Sequence, residues 1–398
     1  MDLRDRLDPD DGLDADLFAR ITNLGGRIGS VAHGTGEGGE EVKFKSTLFI
    51  GTYTEYEGSQ SKGIYVYRMD LTSGELTFEW EVKGVLNPSF LDLHPHRNLL
   101  YAVNEVGTFG GEEGGGVSAF SVNPTSGELN LLNACSSRGK DPCYISIEQT
   151  GRFALVANYS SGSVAMLPIQ PDGQLGPATT VDQHSGSSVD TERQTEPYAH
   201  CIRADPTNRF AIATDLGADK LLIYQLDLEN GKLNKHAEVK VQPGAGPRHF
   251  IFHPNGQYLY LLNELNSTLI VYHYDSDPGS LEELQTVTTL PEGYKGRNLC
   301  ADLHIYGKYL YASNRGHDSI AWYLIDENTG RLSYQGHIAS GGHEPRGFVI
   351  DPSGSFLLAA HEKSDNIVVF KIDRATGKPS RTVHEARLSK PVCVKFVH

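Results

Sequence analysis

Two charged residues frame one predicted β-hairpin in the middle of the sequence, "GPRHFIFHPNGQYLYLLNE" at 246–264. Arg248 lies near its start and Glu264 at its end, and most residues between them are apolar or belong to a turn. An arginine can hold an anion and a carboxylate can accept a proton, so the pair could serve a reaction on an anionic substrate. A simple salt bridge between the two residues is the other interpretation.

Other predicted hairpins also begin or end with a group that could do chemistry. "EPYAHCIRADP" has His200 near its start, "YLYASNR" ends on Arg315, and "EPRGFVIDPSG" has Arg346 near its start. Imidazole and guanidinium groups move protons and bind anions in enzymes. For Arg346, a salt bridge with Glu362 of its own hairpin is as reasonable as contact with a substrate.

These hairpins are copies of one repeating unit, in which a proline precedes an apolar strand, a turn and a second strand with a polar end. Six copies occur, at 87–105, 141–159, 196–216, 246–264, 298–315 and 344–362. A third strand and a turn resembling T-G-x-L follow most of them. Equivalent polar residues are separated by 47 to 57 residues. A period near 50 residues with several short strands per unit is typical of radial β-blades.

A seventh copy of the unit is divided between the two ends of the chain. "KPVCVKFVH" at 390–398 supplies the strand after the proline, and "TLFIGTYT" at 47–54 supplies the next one. The sequence therefore predicts an all-β protein, a seven-bladed β-propeller over 46–398 that is closed by joining N- and C-terminal strands in one blade. Two stacked β-sandwiches would not explain a divided repeat. Residues 1–45 lie outside the pattern and are predicted to form a tail with a short helix and a flexible linker.

The propeller geometry predicts that the charged residues meet. In a blade of antiparallel strands, the start of the first strand and the end of the second lie at the same face. The expected ring around one mouth of the channel comprises Tyr53, Glu105, Tyr159, Leu216, Glu264, Arg315, Glu362, His200, Arg248 and Arg346. A glycine-rich loop follows Glu105, which favours a solvated carboxylate there. His249 is a further candidate for substrate binding, although its strand position is also typical of a structural histidine.

Composition excludes several classes of protein. A net charge of −15 argues against nucleic-acid binding. The five cysteines show no C-x-x-C pair, and the histidines lack the spacing of metal ligands, so neither a metal nor another cofactor is expected. The acidic N-terminus lacks the features of a signal peptide and the chain has no long apolar run, so a cytoplasmic protein without a membrane partner is predicted. The oligomeric state, monomer or dimer, is left open.

The most specific motifs resemble those of the seven-bladed-propeller lactonases. This family includes bacterial 6-phosphogluconolactonases and fungal cyclising enzymes that act on 3-carboxymuconate. The similarity covers about residues 46–398, and "GAGPRHFIFHPNGQYLYLLNELNS" and "SSVDTERQTEPYAHCIRADP" carry most of it. The resemblance implies site residues at His200, Arg248, Glu264 and Arg315. Many members have a second histidine where this chain has Tyr198.

The implied function is hydrolysis of a small anionic lactone, with 6-phosphogluconolactone as the implied substrate. Glu264 or His200 would act as general base, while Arg248 and Arg315 would hold the substrate anion and the oxyanion. The loop 182–196 is predicted to overhang the mouth, with Arg193 as its candidate member. Ring closure of a muconate-type diacid and a non-catalytic binding scaffold are the alternatives. The absence of the W-D dipeptide common in interaction propellers argues against the scaffold.

Overall fold

Each repeat forms a blade of four antiparallel strands in the computed structural model, which describes residues 45–397. The first ten strands are β1 (Lys45–Thr52), β2 (Gly63–Asp70), β3 (Leu76–Lys83), β4 (Leu91–Leu93), β5 (Leu99–Asn104), β6 (Thr108–Phe109), β7 (Glu112–Glu113), β8 (Gly116–Val122), β9 (Leu129–Ser136) and β10 (Pro142–Ile147). The next ten are β11 (Phe153–Asn158), β12 (Ser163–Pro168), β13 (Thr180–Gln183), β14 (Ala199–Ala204), β15 (Phe210–Asp215), β16 (Lys220–Asp227), β17 (Lys232–Lys240), β18 (Pro247–Phe252), β19 (Tyr258–Asn263) and β20 (Thr268–Asp275). The last ten are β21 (Ser280–Thr288), β22 (Leu299–Tyr306), β23 (Tyr309–Arg315), β24 (Ser319–Ile325), β25 (Leu332–Ala339), β26 (Pro345–Ile350), β27 (Phe356–His361), β28 (Asn366–Ile372), β29 (Pro379–Arg387) and β30 (Pro391–Phe396).

Within the described residues these strands make seven four-stranded sheets and one small two-stranded hairpin, β6-β7. Six blades follow chain order, as in β18-β19-β20-β21, and one of these, β4-β5-β8-β9, carries the small hairpin as an insertion. The seventh blade has the order β3-β2-β1-β30, so strands from both ends of the chain share one sheet. The predicted seven-bladed propeller and its closure are confirmed. The predicted tail lies outside the described residues, apart from Lys45, which begins β1.

The innermost strands of the blades form a closed circle around the channel. Strand β30 packs against β4, and the contacts continue through β10, β14, β18 and β22 to β26, which returns to β30. Closure leaves every blade with a neighbour on both faces. The residues at the start of each innermost strand are consequently brought to one mouth of the channel.

Burial follows from this packing. Second strands such as β11, β19 and β27 are buried along their whole length, because each one contacts a blade on either side. Their sequences are therefore almost continuously apolar rather than alternating. The outermost strands, such as β17, are mainly exposed and carry polar residues. The hydrophobic core thus lies between blades.

At the channel end opposite the mouth, an acidic side chain closes the hairpin between the first two strands of several blades. Asp351 accepts hydrogen bonds from the backbone N–H groups of Ser353 and Phe356, at 2.9 and 2.6 Å. Asp205 and Glu148 make equivalent contacts in two other blades. These carboxylates satisfy backbone donors that the turn would otherwise bury without partners.

None of the described residues belongs to a helix that could cross a membrane.

Candidate functional site

Glu264, the residue directly after β19, is the centre of a charged cluster at the mouth. Its Oε2 accepts hydrogen bonds from Nε of Arg248 at 2.9 Å and Nη2 of Arg315 at 2.8 Å. Its Oε1 accepts a third from Nη2 of Arg193 at 2.7 Å. We call these four residues the arginine–glutamate cluster. The predicted salt bridge between Arg248 and Glu264 therefore exists, as part of a larger group.

The cluster has an excess of positive charge, because three guanidinium groups surround one carboxylate. Burial alone would raise the pKa of Glu264, but Arg315, Arg248 and Arg193 together lower it to about 2. For Arg248, burial and the nearby Arg315 lower the pKa to about 10, although Glu264 opposes them. Both groups are charged at neutral pH, and the cluster can attract an anion.

Arg248 is held from its other side by residues of the channel wall. Its Nη1 donates to the carbonyl oxygen of Ala301 and approaches Nε2 of His249 at 3.1 Å. Nδ1 of His249 lies 3.1 Å from Oδ1 of Asp302. This bonding pattern requires a neutral imidazole that donates to Asp302 and accepts from Arg248. Burial and the charge of Arg248 lower the pKa of His249 to about 3, so His249 supports Arg248.

His200, on β14, is a buried neutral imidazole at the mouth. Its Nδ1 lies 3.7 Å from Sγ of Cys143, and its ring meets Tyr159 edge to face with centroids 5.5 Å apart. Burial, followed by the charge of Arg248, lowers the pKa of His200 well below 6.5. The same burial raises the pKa of Cys143 well above 9, so its thiol is a poor nucleophile.

Arg346, on β26, differs from the other arginines of the mouth. Its Nη1 lies 3.5 Å from Oε2 of Glu362, and its guanidinium lies over the ring of Tyr53 at 5.3 Å from the centroid. The side chain of Arg346 makes no hydrogen bond with any residue from 45 to 397, whereas the side chains of Arg193, Arg248 and Arg315 all do. The ion pair with Glu362 therefore leaves the N–H donors of Arg346 available to a ligand.

Two cavities occupy the channel and its mouth. The mouth cavity has a volume of about 530 Å³, and the channel cavity below it about 200 Å³. The charged residues and imidazole of the mouth cavity are Glu55, Glu105, Asp141, Arg193, His200, Glu264, Arg315 and Arg346. Glu105, Cys143 and Arg346 line both cavities, while Arg248 and His249 line the channel cavity alone. Each of the six candidate site residues thus lines at least one of the two cavities, whereas Leu216 and Glu362 of the expected ring line neither of them.

Two residues of the mouth, Glu105 and Arg193, make contacts that sequence reasoning did not predict. Glu105 is hydrogen-bonded to Tyr53 and Ser89 rather than solvated, contrary to the expectation from its glycine-rich neighbour loop. Arg193 reaches Glu264 from a long loop outside the repeat, a contact that no periodic pattern could predict. Tyr198 stacks on Tyr159, with centroids 4.9 Å apart. Among residues 45–397, no group of three or more His, Cys, Asp or Glu side chains could hold a metal ion.

Comparison with known proteins gives concordant results. The 6-phosphogluconolactonase of Bacillus subtilis (strain 168) is 34% identical over 352 residues, 88% of this chain and 98% of that protein. A 6-phosphogluconolactonase of Formosa agariphila is 34% identical over 346 residues, 85% of this chain and 96% of that protein. The structure of the periplasmic gluconolactonase of Pseudomonas aeruginosa superposes with a TM-score of 0.84 at 33% identity, covering 89% of this chain and 99% of that one. Residues 47–396 match the family model described as lactonase, 7-bladed beta-propeller, and the chain belongs to that family.

Proposed function

We propose that the protein hydrolyses lactones that carry an anionic group, with 6-phosphogluconolactone as the representative substrate. The observation that carries this proposal is the presence of Arg346 in the mouth cavity, where its N–H donors make no hydrogen bond with the described residues. The two relatives named 6-phosphogluconolactonase support the same reaction. A binding scaffold would favour a mouth filled by side chains, whereas this mouth is a cavity of about 530 Å³.

Hydrolysis develops negative charge on the carbonyl oxygen of the lactone as water attacks the ring. The free N–H donors of Arg346 can hold this oxyanion, and removing one such donor typically costs 10²- to 10³-fold in kcat. His200 lines the same cavity and stays neutral, so its ring can form a hydrogen bond with the substrate without bringing a further positive charge into the cavity.

The arginine–glutamate cluster suits the anionic group of the substrate. It keeps a positive excess after Glu264 is paired, and a phosphate can accept two parallel hydrogen bonds from a guanidinium group. Arg193 is the most accessible of its arginines, since 29% of its side chain is exposed, against 3% for Arg248 and 5% for Arg315. We assign Arg193 to first contact with the phosphate.

Glu264 acts through the arginines in this scheme. A general base works best when its pKa is close to the operating pH, and that of Glu264 is about 2. Its three hydrogen bonds orient Arg193, Arg248 and Arg315 instead. This assignment replaces the role of general base that sequence reasoning offered for Glu264.

The first test measures hydrolysis of freshly generated 6-phosphogluconolactone and of gluconolactone, with the spontaneous rate subtracted. We expect the wild-type protein to accelerate the phosphorylated lactone more strongly. Arg346→Ala should lower kcat for either lactone by ~10²- to 10³-fold, because the oxyanion loses its donor. Arg193→Ala should instead raise KM for the phosphorylated lactone by about 10-fold, which corresponds to about 1.4 kcal/mol of lost binding.

Arg209→Ala is the matched control, since Arg209 is an exposed arginine on the turn at the opposite end of the channel. Its kinetics should equal those of the wild type. Wild-type rates no higher than the spontaneous rate for both lactones would exclude this substrate class. The search would then move to carboxylated lactones and to ring closure of a muconate-type diacid, which product analysis distinguishes from hydrolysis.

A cytoplasmic location for this reaction is part of the same proposal. It rests on the five cysteines, which are all free thiols, as is usual in compartments that keep thiols reduced. Cell fractionation followed by assay of lactone hydrolysis tests it, and activity confined to a membrane or extracellular fraction would contradict it.

A further inference from the structure

The mouth contains two carboxylates with opposite surroundings, the buried Glu264 and the half-buried Glu105. Three arginines bind Glu264, whereas the carboxylate of Glu105 accepts hydrogen bonds only from hydroxyl groups within the described chain. The hydroxyl of Tyr53 lies 3.1 Å from each carboxylate oxygen of Glu105, and the hydroxyl of Ser89 donates to Oε2. Burial raises the pKa of Tyr53 well above 10, so its hydroxyl keeps its proton and acts as a donor.

Glu105 lies where the two cavities meet. It lines both the mouth cavity and the channel cavity, as do Cys143 and Arg346. Cys143 in turn touches His200, so Glu105, His200 and Arg346 surround one region of the cavity. A lactone whose carbonyl oxygen is bound by Arg346 would therefore have the carboxylate of Glu105 beside its reacting end.

The surroundings of Glu105 make it a stronger base than Glu264. Burial raises the pKa of Glu105, and the charge of Arg346 and the hydrogen bonds from Ser89 and Tyr53 only partly offset this effect. The titratable and charged groups that face it are Tyr53, Tyr56, Asp141, Cys143 and Arg346. Two carboxylates whose pKa values are moved apart by their surroundings commonly have different roles in one site.

We propose that Glu105 is the general base of the lactone hydrolysis, an inference that rests on the proposed function. Its carboxylate takes a proton from a water molecule while the water oxygen bonds to the carbonyl carbon of the lactone. The tetrahedral oxyanion held by Arg346 then collapses, the bond from that carbon to the ring oxygen breaks, and Glu105 returns its proton to the ring oxygen. The product is a hydroxy acid that ionises in solution, and Glu105 ends as it began.

The test is the pH dependence of kcat/KM for 6-phosphogluconolactone in wild type, Glu105→Gln and Tyr53→Phe. The wild-type value should fall on the acid side as Glu105 takes up a proton. Glu105→Gln should lower kcat by ~10²- to 10⁴-fold and abolish this acid limb. Tyr53→Phe keeps the carboxylate but removes a donor that stabilises its ionised form, so the acid limb should move to higher pH.

Glu112→Gln is the matched control, because Glu112 is an exposed glutamate of the β6-β7 hairpin that follows Glu105. It should behave as wild type. If the wild type is active but Glu105→Gln keeps the acid limb and a turnover within a few-fold of the wild type, the role of Glu105 is overturned. The proposed function would still stand in that case. If Glu105→Gln does not fold, an acid limb that stays in place in Tyr53→Phe would overturn it. A wild type that accelerates neither lactone would overturn the proposed function and this inference together.

Discussion

Glu105 and Glu264 are the same residue type at equivalent positions of two blades, since each directly follows a second strand. Only the side chains that surround each carboxylate make their chemical environments different. Glu264 meets guanidinium groups from β18, β23 and a surface loop, and Glu105 meets the hydroxyls of Tyr53 and Ser89. At this scale the repeat supplies equivalent positions, and the side chains that surround each position, from the same blade and from other parts of the chain, decide its chemistry.

Glu264→Gln should reduce stability at neutral pH and flatten its acid dependence. The folded pKa of Glu264, about 2, lies below its ordinary value of 4.5, so the ionised carboxylate stabilises the fold above about pH 4.5. This contribution, about 3 kcal/mol, is lost as the pH falls from 4.5 toward 2. Urea unfolding at several pH values should show the gap between wild type and variant closing with acid. A gap that is constant with pH would contradict the prediction, and Glu112→Gln serves again as control.

Residue-level prediction succeeded for the contact between Arg248 and Glu264, which lies within one repeat. The proximity of Arg248 and Glu264 follows from strand direction, because the start of one strand and the end of the next share a face. The environment of Glu105 depends on Ser89, which precedes β4, and on Tyr53 of the blade that closes the ring. Ser89 lies in the same repeat as Glu105 and Tyr53 lies in a different blade, and a reading confined to the glycine-rich sequence after Glu105 missed both contacts.

At the scale of the element, the buried acidic residue in the first hairpin turn of a blade fixes the geometry of the hairpin. Asp351 is 1% exposed and bonds two backbone N–H groups as well as the hydroxyl of Ser353. The aspartate thereby holds the ends of β26 and β27 together. Because β26 carries Arg346 at its other end, this turn contributes to the placement of a mouth residue.

Asp351→Ala should therefore cost stability, by about 1–3 kcal/mol, because buried backbone donors lose their acceptor. Asp373→Ala is the comparison, since Asp373 makes similar turn contacts on the exposed surface, with the N–H of Ala375 at 2.8 Å. There water can replace the carboxylate, and the cost should stay below about 1 kcal/mol. Equilibrium denaturation of both variants measures the difference, and equal losses would refute the argument.

The loop before β14 shows which contacts cannot be predicted from sequence periodicity. Its polar sequence has no period, yet Gln194 is fully buried and donates to the carbonyl oxygen of Leu216 at 2.8 Å. Asp190 accepts a hydrogen bond from the backbone N–H of Arg193, which helps to fix the backbone position from which the Arg193 side chain extends. Contacts with a neighbouring strand end fix this loop, so the sequence predicted its overhang but not the bond from Arg193 to Glu264.

For the whole molecule, the divided repeat was the decisive sequence signal. The apolar strand that follows the proline at 391 had no second strand after it in the sequence. Only a closed ring, in which the strand at 47–54 lies beside it, supplies that partner. The structure pairs β30 with β1 in antiparallel register, for example Leu48 with Phe396 and Ile50 with Val394. Closure could be predicted because it depends on counting strands, whereas charge placement within the ring depends on side-chain packing between blades.

Val394→Ala tests the contribution of the closing strand. Val394 is 3% exposed and packs in the core between the last and first blades, so its loss should destabilise the fold by about 2 kcal/mol. Val383→Ala removes the same atoms from an outer strand, where the side chain is 94% exposed, and should be nearly neutral. Similar unfolding midpoints for the two variants would show that closure contributes little.

The shared blade also constrains the order of events during synthesis. Among the described strands β1 is synthesised first, but β30, the strand that covers its inner edge, is synthesised last. Until β30 is made, that edge offers unpaired N–H and C=O groups to any other strand. Nascent chains stalled before residue 391 should therefore be more prone to aggregate than chains in which β30 has been released and pairs with β1.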